Sequence, residues 1–188
     1  MDGHQIGALI SAIAGAGWAL AGASGFSGPR RVVAASVAVG VASTLAAATL
    51  SSRFVPTAER FDGSIYAISV AIEVVAIVVA VLVLRRMGRQ GAIMPTIAVI
   101  VGAHYSGLWL ATGERILLAL GAALIAVGLA GFRVPVPRRS VTVGFGCALL
   151  LWAAALVTIE HGGRSRGASE PRDSTIAADL GRKAAGPL

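Results

Sequence analysis

The chain alternates between long apolar runs and short polar connections. Six runs are present, and each comes close to the roughly 20 helical residues that cross a bilayer core of about 30 Å. The runs cover residues 5–23, 32–50, 64–84, 93–111, 115–131 and 141–159. This pattern predicts an all-α fold, an integral membrane bundle of about six transmembrane helices.

The fifth run is short for a membrane span, and the chain becomes polar after the sixth run. The fifth run is the shortest, at the low end of the spanning range of about 17 residues. The run before it is equally apolar, so we expect the two to form a tight helical hairpin across the turn at 112–114.

From Glu160 onward Gly, Ser, Arg and Asp dominate. We therefore expect a transmembrane domain over residues 1–159 and a disordered polar tail over residues 160–188.

Positive charge is distributed unevenly among the loops. The second and fourth loops carry equal numbers of acidic and basic side chains, whereas the first, third and fifth carry only Arg30, Arg31, Arg85, Arg86, Arg89, Arg133, Arg138 and Arg139. Cytoplasmic loops hold the excess of Lys and Arg. The pattern therefore predicts a cell-membrane protein whose arginine-rich loops are cytoplasmic and whose termini are both outside. By basic residues alone the second loop equals the first, so the prediction depends on the third and fifth loops.

The composition agrees with a chain that lies in lipid. Hydrophobic residues make up 56% and charged residues 13% of the chain, against about 25% charged residues in soluble domains. The net charge of +7 suggests nucleic-acid binding at first. However, the arginines lie in short clusters between apolar runs rather than along one soluble face, which argues against a nucleic-acid partner. The single cysteine, Cys147, lies inside an apolar run and is expected to be a packing residue.

Small residues indicate which helix faces turn inward. Small residues four positions apart let helix backbones approach closely in membranes. Such residues on the first and second runs are Gly7, Ser11 and Gly15, and Ser36, Gly40 and Thr44, while Gly121 and Gly128 lie seven positions apart on the fifth. We expect these three faces to contact neighbouring helices.

One ionisable side chain interrupts the third run. Glu73 lies near the middle of this otherwise apolar stretch, where a charged residue costs about 2.5 to 3.5 kcal/mol to insert. The candidate partner is His104 on the fourth run. At about 1.5 Å per residue, Glu73 lies roughly 15 Å and His104 roughly 10 Å below the outer surface. The difference is about one helical turn, so side chains on neighbouring helices can meet.

Further polar residues accompany this pair. Tyr66, Ser69 and Glu73 are spaced three and four residues apart and so share one face of the third helix. Tyr105 follows His104 on the fourth. We predict that these five residues form a mid-membrane site for a proton or a ligand. Burial disfavours the charged forms, and burying two charges costs several kcal/mol each. A neutral hydrogen-bonded pair and a charged pair both remain open, with the neutral form favoured at rest.

Familiar catalytic patterns do not occur in the runs. A metalloprotease of the H-E-x-x-H type and a bis-histidine haem site within one chain each need two histidines, and only His104 lies within a run. A serine nucleophile needs a G-x-S-x-G context, which Ser106 and its neighbours do not supply. We therefore expect neither a metal nor another cofactor, and the balance is against an enzyme.

A short motif resembles a known group of proteins. Residues 100–105, with the sequence IVGAHY, and the later GLAGF at 128–132 resemble a loose group of small, uncharacterised bacterial polytopic membrane proteins with an I-V-G-x-H-F/Y signature. The similarity covers about residues 97–132. Tyr105 and the following Ser106-Gly107 depart from the phenylalanine and nearby proline usual in the group. The resemblance singles out His104 without implying a reaction.

Two classes of function follow. In the first, the chain is a binding or transport module with a mid-membrane Glu/His site for a proton, a cation or a small polar ligand. In the second, it is a non-catalytic structural or assembly protein in which Glu73 and His104 only lock helix packing. Its partners are then the lipid bilayer and either another copy of the chain or a different membrane protein.

Overall fold

The computed structural model describes residues 3–51 and 62–168. Within these ranges the chain forms six α-helices and one short 3₁₀ helix, and contains no strand. The elements are α1 (Gly3–Ala23), α2 (Pro29–Ser51), α3 (Gly63–Arg86), the 3₁₀ helix Gln90–Ala92, α4 (Ile93–Thr112), α5 (Arg115–Gly131) and α6 (Val136–Ala168). Each predicted run lies within one helix. The all-α class is confirmed.

The helices have the length and composition of membrane spans. Four helical segments of the described chain are long and apolar enough to cross a membrane, namely α2, α3, α4 with the 3₁₀ helix before it, and the part of α6 up to Glu160. The segment Gly7–Ala23 of α1 and the whole of α5 are apolar but shorter. With 17 residues, α5 has about the minimum length of a span. The helices therefore suit a membrane location.

The bundle is arranged as a central group of helices with one helix on each side. α1 packs along α6, α4 packs along α5, and α6 joins the two pairs because it also contacts α4 and α5. α2 lies against α1 and α6. α3 lies against α4 and the 3₁₀ helix and contacts no other described element. Consecutive helices α2 and α3 are therefore not neighbours.

Small residues allow the close approach of α1 and α6. Gly22 and Gly144 face each other, and a Cβ on Gly144 would lie 2.6 Å from the Gly22 nitrogen. Further along, the Trp152 indole nitrogen donates a hydrogen bond to the Ala12 carbonyl at 3.3 Å. Gly15 lies beneath the same indole ring. The two helices thus run antiparallel with little space between their backbones.

The predicted hairpin of α4 and α5 is equally tight. Gly113, with φ of +80°, ends α4 in the left-handed conformation that glycine adopts without strain. A Cβ on Gly102 would lie 2.7 Å from the Gly121 carbonyl oxygen, and one on Gly128 would lie 2.8 Å from the Pro95 carbonyl oxygen. The inward orientation predicted for Gly121 and Gly128 is confirmed.

The prediction for the inward face of α2 is wrong. Ser36, Gly40 and Thr44 are exposed, and α2 instead buries Ala38, Leu45 and Thr49. The Thr44 hydroxyl donates to the Gly40 carbonyl within its own helix at 2.9 Å, so it needs no partner on another helix. Small residues at four-residue spacing therefore do not mark a packing face when the remaining positions are also apolar.

The inward face of α1 is also shifted from the predicted one. Gly15 is buried as expected, whereas Gly7 is exposed and Ser11 only half-buried. The residues of α1 that are buried recur every three or four positions and end in an adjacent pair, and they are Ala8, Ala12, Gly15, Ala19, Gly22 and Ala23. Alanine, rather than glycine and serine, thus makes most of this contact. Cys147 is fully buried among the residues that α6 turns inward, which fits a packing role.

One end of the bundle holds all the arginines of the first, third and fifth connections. Gly91 and Val136 pack together, as do Gly25 and Val141, so these three connections meet at that end. Seven of its eight arginines are exposed. The described acidic residues lie elsewhere: Asp62 and Glu114 adjoin the opposite end, Glu160 lies far along α6, and Glu73 lies within α3. The bundle is therefore strongly asymmetric in charge.

Arg139 differs from the other arginines at this end because main-chain carbonyls surround its guanidinium. Its Nη1 donates to the Gly91 carbonyl at 3.2 Å, which ties α6 to the connection between α3 and α4. Its Nε and Nη2 donate to the Val134 carbonyl at 3.1 and 2.9 Å, and Nη2 also donates to Phe132 at 3.1 Å. Arg139 thus satisfies carbonyls left without helical partners after α5 ends.

The helix α6 continues past the predicted end of the transmembrane domain. It runs to Ala168, whereas the apolar run ends at residue 159. The predicted boundary is therefore a change in composition within one helix. The remainder of the predicted disordered tail, residues 169–188, lies outside the described residues, as do residues 1–2 and 52–61.

We expect Arg139→Ala to lower the free energy of unfolding by about 1 to 3 kcal/mol, since hydrogen bonds to charged groups contribute about 1.5 to 3 kcal/mol. The exposed neighbour Arg138 is the matched control, and Arg138→Ala should change stability by less than about 0.5 kcal/mol. Thermal unfolding of the purified protein in detergent measures both. Equal losses in the two variants would contradict the role assigned to Arg139.

Candidate functional site

The face of α3 that meets α4 is a single stripe of half-buried residues. Single residues or adjacent pairs recur every three or four positions, and every position between them is exposed. The stripe consists of Tyr66, Ser69, Val70, Glu73, Ala76, Ile77, Ala80, Val81 and Leu84. No residue of α3 is fully buried. The polar part of the stripe occupies the half of α3 nearer its N-terminus.

The beginning of α3 fixes its register against α4. The Asp62 carboxylate caps the helix by accepting hydrogen bonds from the main-chain nitrogens of Ser64 and Ile65 at 2.9 and 3.1 Å. The Asp62 nitrogen donates to the Ala111 carbonyl near the end of α4 at 2.9 Å. Because the two helices run antiparallel from this point, residues at similar distances from it come to lie side by side.

Glu73, His104 and Ser69 meet at the interface of α3 and α4. His104 Nε2 lies 3.5 Å from Glu73 Oε2, and His104 Nδ1 lies 2.9 Å from the Ser69 hydroxyl oxygen. The shorter distance is that of a well-formed hydrogen bond and the longer one is within reach of an ion pair. The His104 side chain is 8% exposed and the Glu73 side chain 18%. The predicted contact between Glu73 and His104 is therefore present.

The imidazole is arranged to use both of its nitrogens. When Nε2 carries the hydrogen, it points toward the carboxylate of Glu73, and Nδ1 accepts the hydrogen bond of the Ser69 hydroxyl. When the ring is protonated at both nitrogens, Nδ1 donates to the Ser69 oxygen instead. Ser69 can change from donor to acceptor by rotating its hydroxyl. The cluster can therefore hold one additional proton without moving a helix.

Gly107 makes room for Ser69. Ser69 was predicted as a residue of the site, but neither its bond to His104 nor the space at Gly107 was predicted. A side chain at Gly107 would collide with the hydroxyl and Cβ of Ser69. Gly107 lies three residues after His104, on the same side of α4. The absence of a side chain there lets α3 come close enough for the bond to His104. The spacing of His104 and Gly107 is the signal that would have revealed this contact.

The two tyrosines of the predicted site lie in different surroundings. Tyr66 is half-buried on the α3 stripe, one turn from Ser69. Tyr105 is 8% exposed and belongs to the core that α4 shares with α5 and α6, where Leu124 and Val143 are fully buried. Its ring meets that of His104 edge-on, with centroids 6.3 Å apart. Tyr105 thus packs beside the imidazole, on the side of α4 that faces the core.

The arrangement offers few ligands for a metal ion. In the part of the chain that the structure describes, no three His, Cys, Asp or Glu side chains lie together. The cluster itself supplies one carboxylate, one imidazole and one hydroxyl. This set suits the exchange of a proton or the neutralisation of one positive charge.

No protein-family model matches this chain, and neither a curated protein nor a solved structure does. The resemblance of residues 97–132 to small bacterial membrane proteins therefore stays a prediction. The class that the helices define is an all-α membrane protein.

We expect Ser69→Ala to weaken the contact between α3 and α4 by about 0.6 kcal/mol, and at most about 1.7 kcal/mol, as for other interhelical hydrogen bonds in membranes. It should also shift the nitrogen NMR signal of His104 Nδ1. The control is Ser106→Ala, because the Ser106 hydroxyl donates only to the Ala103 carbonyl of its own helix at 2.6 Å. If both variants leave the His104 signal unchanged, the bond does not persist in solution.

Proposed function

We propose that the chain is a membrane-embedded binding or transport module whose site is the pair Glu73 and His104. The observation that supports this most is that the Glu73 carboxylate, in the middle of an apolar helix, lies 3.5 Å from the His104 imidazole of the neighbouring helix. Ionisable residues at such depth are rare and mark proton relays, ion pathways or ligand sites. The proposed ligand is a proton, a cation or a small polar molecule.

The polar stripe of α3 supports access from one end of the bundle. Tyr66, Ser69 and Glu73 follow one another from the end that Asp62 caps toward the middle of α3. Beyond Glu73, the rest of the α3 stripe is apolar. A proton can pass along hydroxyl and imidazole groups but not along apolar side chains. We therefore place the proton path of the site at the end that holds Asp62.

The distribution of charge supports an orientation in the membrane. The arginine-rich end should face the cytoplasm, since basic residues are retained there. The end with Asp62 then faces outside, as do both chain termini. The site would accordingly exchange its proton with the outer side.

A second function is favoured by the bond between Ser69 and His104. That bond, at 2.9 Å, is the better hydrogen bond of the cluster and joins two helices that otherwise meet along one narrow stripe. A cluster that only locks α3 onto α4 would suit a structural or assembly protein. The two functions differ in whether Glu73 exchanges a proton.

Glu73→Gln should remove one component of the protonated-carboxyl band in the infrared difference spectrum between alkaline and acidic buffer, because this variant removes the half-buried carboxyl while the other carboxyls of the chain remain. Glu114→Gln, the same change next to α5 at the outer end, should leave that component in place. The measurement is infrared difference spectroscopy of the purified protein in lipid nanodiscs. His104→Gln should displace the titration to a different pH, since it removes the neighbouring imidazole.

The folding of these variants separates the two functions. A transport or binding site allows Glu73→Gln and His104→Gln to insert and unfold much like the wild type while the titration is lost or displaced. If both variants instead fail to accumulate in the membrane, the cluster is a helix lock. If the difference spectra of the wild type and Glu73→Gln are the same, Glu73 does not titrate and the proposed function is wrong.

The orientation can be tested with two uncharged substitutions at opposite ends of α3. Ser64→Cys lies at the Asp62 end and Gln90→Cys in the 3₁₀ helix at the arginine-rich end, and both positions are exposed. The native Cys147 is buried and should react little. A membrane-impermeant maleimide should label Ser64→Cys on intact cells and Gln90→Cys only after the cells are opened. Labelling of Gln90→Cys on intact cells would reverse the orientation.

A further inference from the structure

We propose, on the basis of the proposed function above, that the ligand of Glu73 is a monovalent organic cation with an apolar body. It reaches the carboxylate sideways from the bilayer, through the seam between α3 and α4. The residues that carry this inference are Glu73 and its neighbours Ile72 and Val74 on α3.

The seam is open along its flanks. Among the described elements α3 contacts only α4 and the 3₁₀ helix, so no third helix covers the line where α3 and α4 meet. Glu73 lies on this line and its side chain keeps 18% of its exposure. At the depth of Glu73 the surroundings of a membrane helix are acyl chains rather than water. A ligand that dissolves in acyl chains therefore has the shortest route to the carboxylate.

The flanks themselves are apolar. Ile72 and Val74 precede and follow Glu73, so each is turned by about 100° to one side of it. They are 64% and 54% exposed. A ligand approaching Glu73 from either side must pass one of these aliphatic side chains. An apolar body packs favourably there, whereas a hydrated ion loses water without gaining a partner.

The ligand set disfavours inorganic cations. Hard ions such as Ca²⁺ take about six to eight oxygen ligands, and no group of three His, Cys, Asp or Glu side chains occurs in the described ranges. Glu73 and Ser69 supply only carboxylate and hydroxyl oxygens, and the carbonyls of a helix are already bonded within it. An organic cation needs one counter-charge and no coordination shell, which is what the site provides.

The same carboxylate cannot hold a proton and serve as a counter-ion at once. Binding of an organic cation to protonated Glu73 must therefore release one proton to the solvent, and the carboxylate that remains forms the ion pair. In the reverse direction, a proton that returns to Glu73 removes the counter-charge and releases the cation. The charge of the site is conserved in both directions. This exchange would couple cation binding to a proton.

Tetraphenylphosphonium is a suitable probe because its charge is enclosed by apolar rings. We expect the wild type in nanodiscs to bind it saturably, with empty nanodiscs as the control for partitioning into lipid. Binding should weaken in acidic buffer and release about one proton per cation. Glu73→Gln should weaken it at least about tenfold, while Glu114→Gln should bind like the wild type. Proton release is measured on the wild type itself, so the test does not depend on how Glu73→Gln folds.

Two competitors test the chemical class. Tetramethylammonium has the same charge with little apolar surface, and sodium has none. Neither should displace tetraphenylphosphonium at concentrations about tenfold above that of the probe. Displacement by either would show that charge alone is recognised and would overturn the inference.

The outcomes also separate this inference from the proposed function. If Glu73 titrates in the infrared but tetraphenylphosphonium does not bind saturably, the proposed function stands and the organic cation is wrong. If Glu73 does not titrate and no cation binds, both are wrong. Saturable binding that is equal in the wild type and Glu73→Gln also contradicts the inference, because the probe then binds elsewhere.

Discussion

The position of α3 depends on a polar contact that lipid cannot replace. No residue of this helix is fully buried, and it meets only α4 and the short 3₁₀ helix among the described elements. Apolar contacts between helices gain little in a membrane, because acyl chains are equally apolar. The groups that distinguish α4 from lipid as a neighbour of α3 include His104, which binds Ser69 and Glu73, and the Ala111 carbonyl, which binds the Asp62 nitrogen.

The rest of the bundle is held together in a different way. α1, α4, α5 and α6 approach one another through glycine and alanine, which allows dense van der Waals contact over long stretches. Arg139 closes one end of this group by binding carbonyls from two connections. The bundle thus combines a tightly packed core of four helices with a more loosely attached α3 that carries the carboxylate. A ligand-dependent movement would meet the least resistance at α3.

The helices were predictable, but not all of their inward faces. A run of about 20 apolar residues bounded by polar ones has few alternatives to a helix in lipid, and all six runs are helical. The inward face of α2 was mispredicted through Ser36, Gly40 and Thr44. In a soluble helix polar residues mark the outer face, whereas on α2 valine and alanine occupy both the lipid side and the packing side. The sequence therefore lacks the contrast that would identify the buried face.

In the candidate site, depth in the membrane predicts one contact, and local shape determines whether the other can form. The depths of Glu73 and His104 were enough to predict their contact. The same rise of about 1.5 Å per residue puts Ser69 roughly 9 Å from the start of α3, even closer to the depth of His104. Its bond also required the space at Gly107, which depth does not reveal. Because Ser69 bonds to Nδ1 of His104, Nε2 of the same ring points toward Glu73. One hydrogen bond therefore both attaches α3 to α4 and orients the imidazole. Locking the helices and exchanging a proton are therefore compatible properties of one cluster.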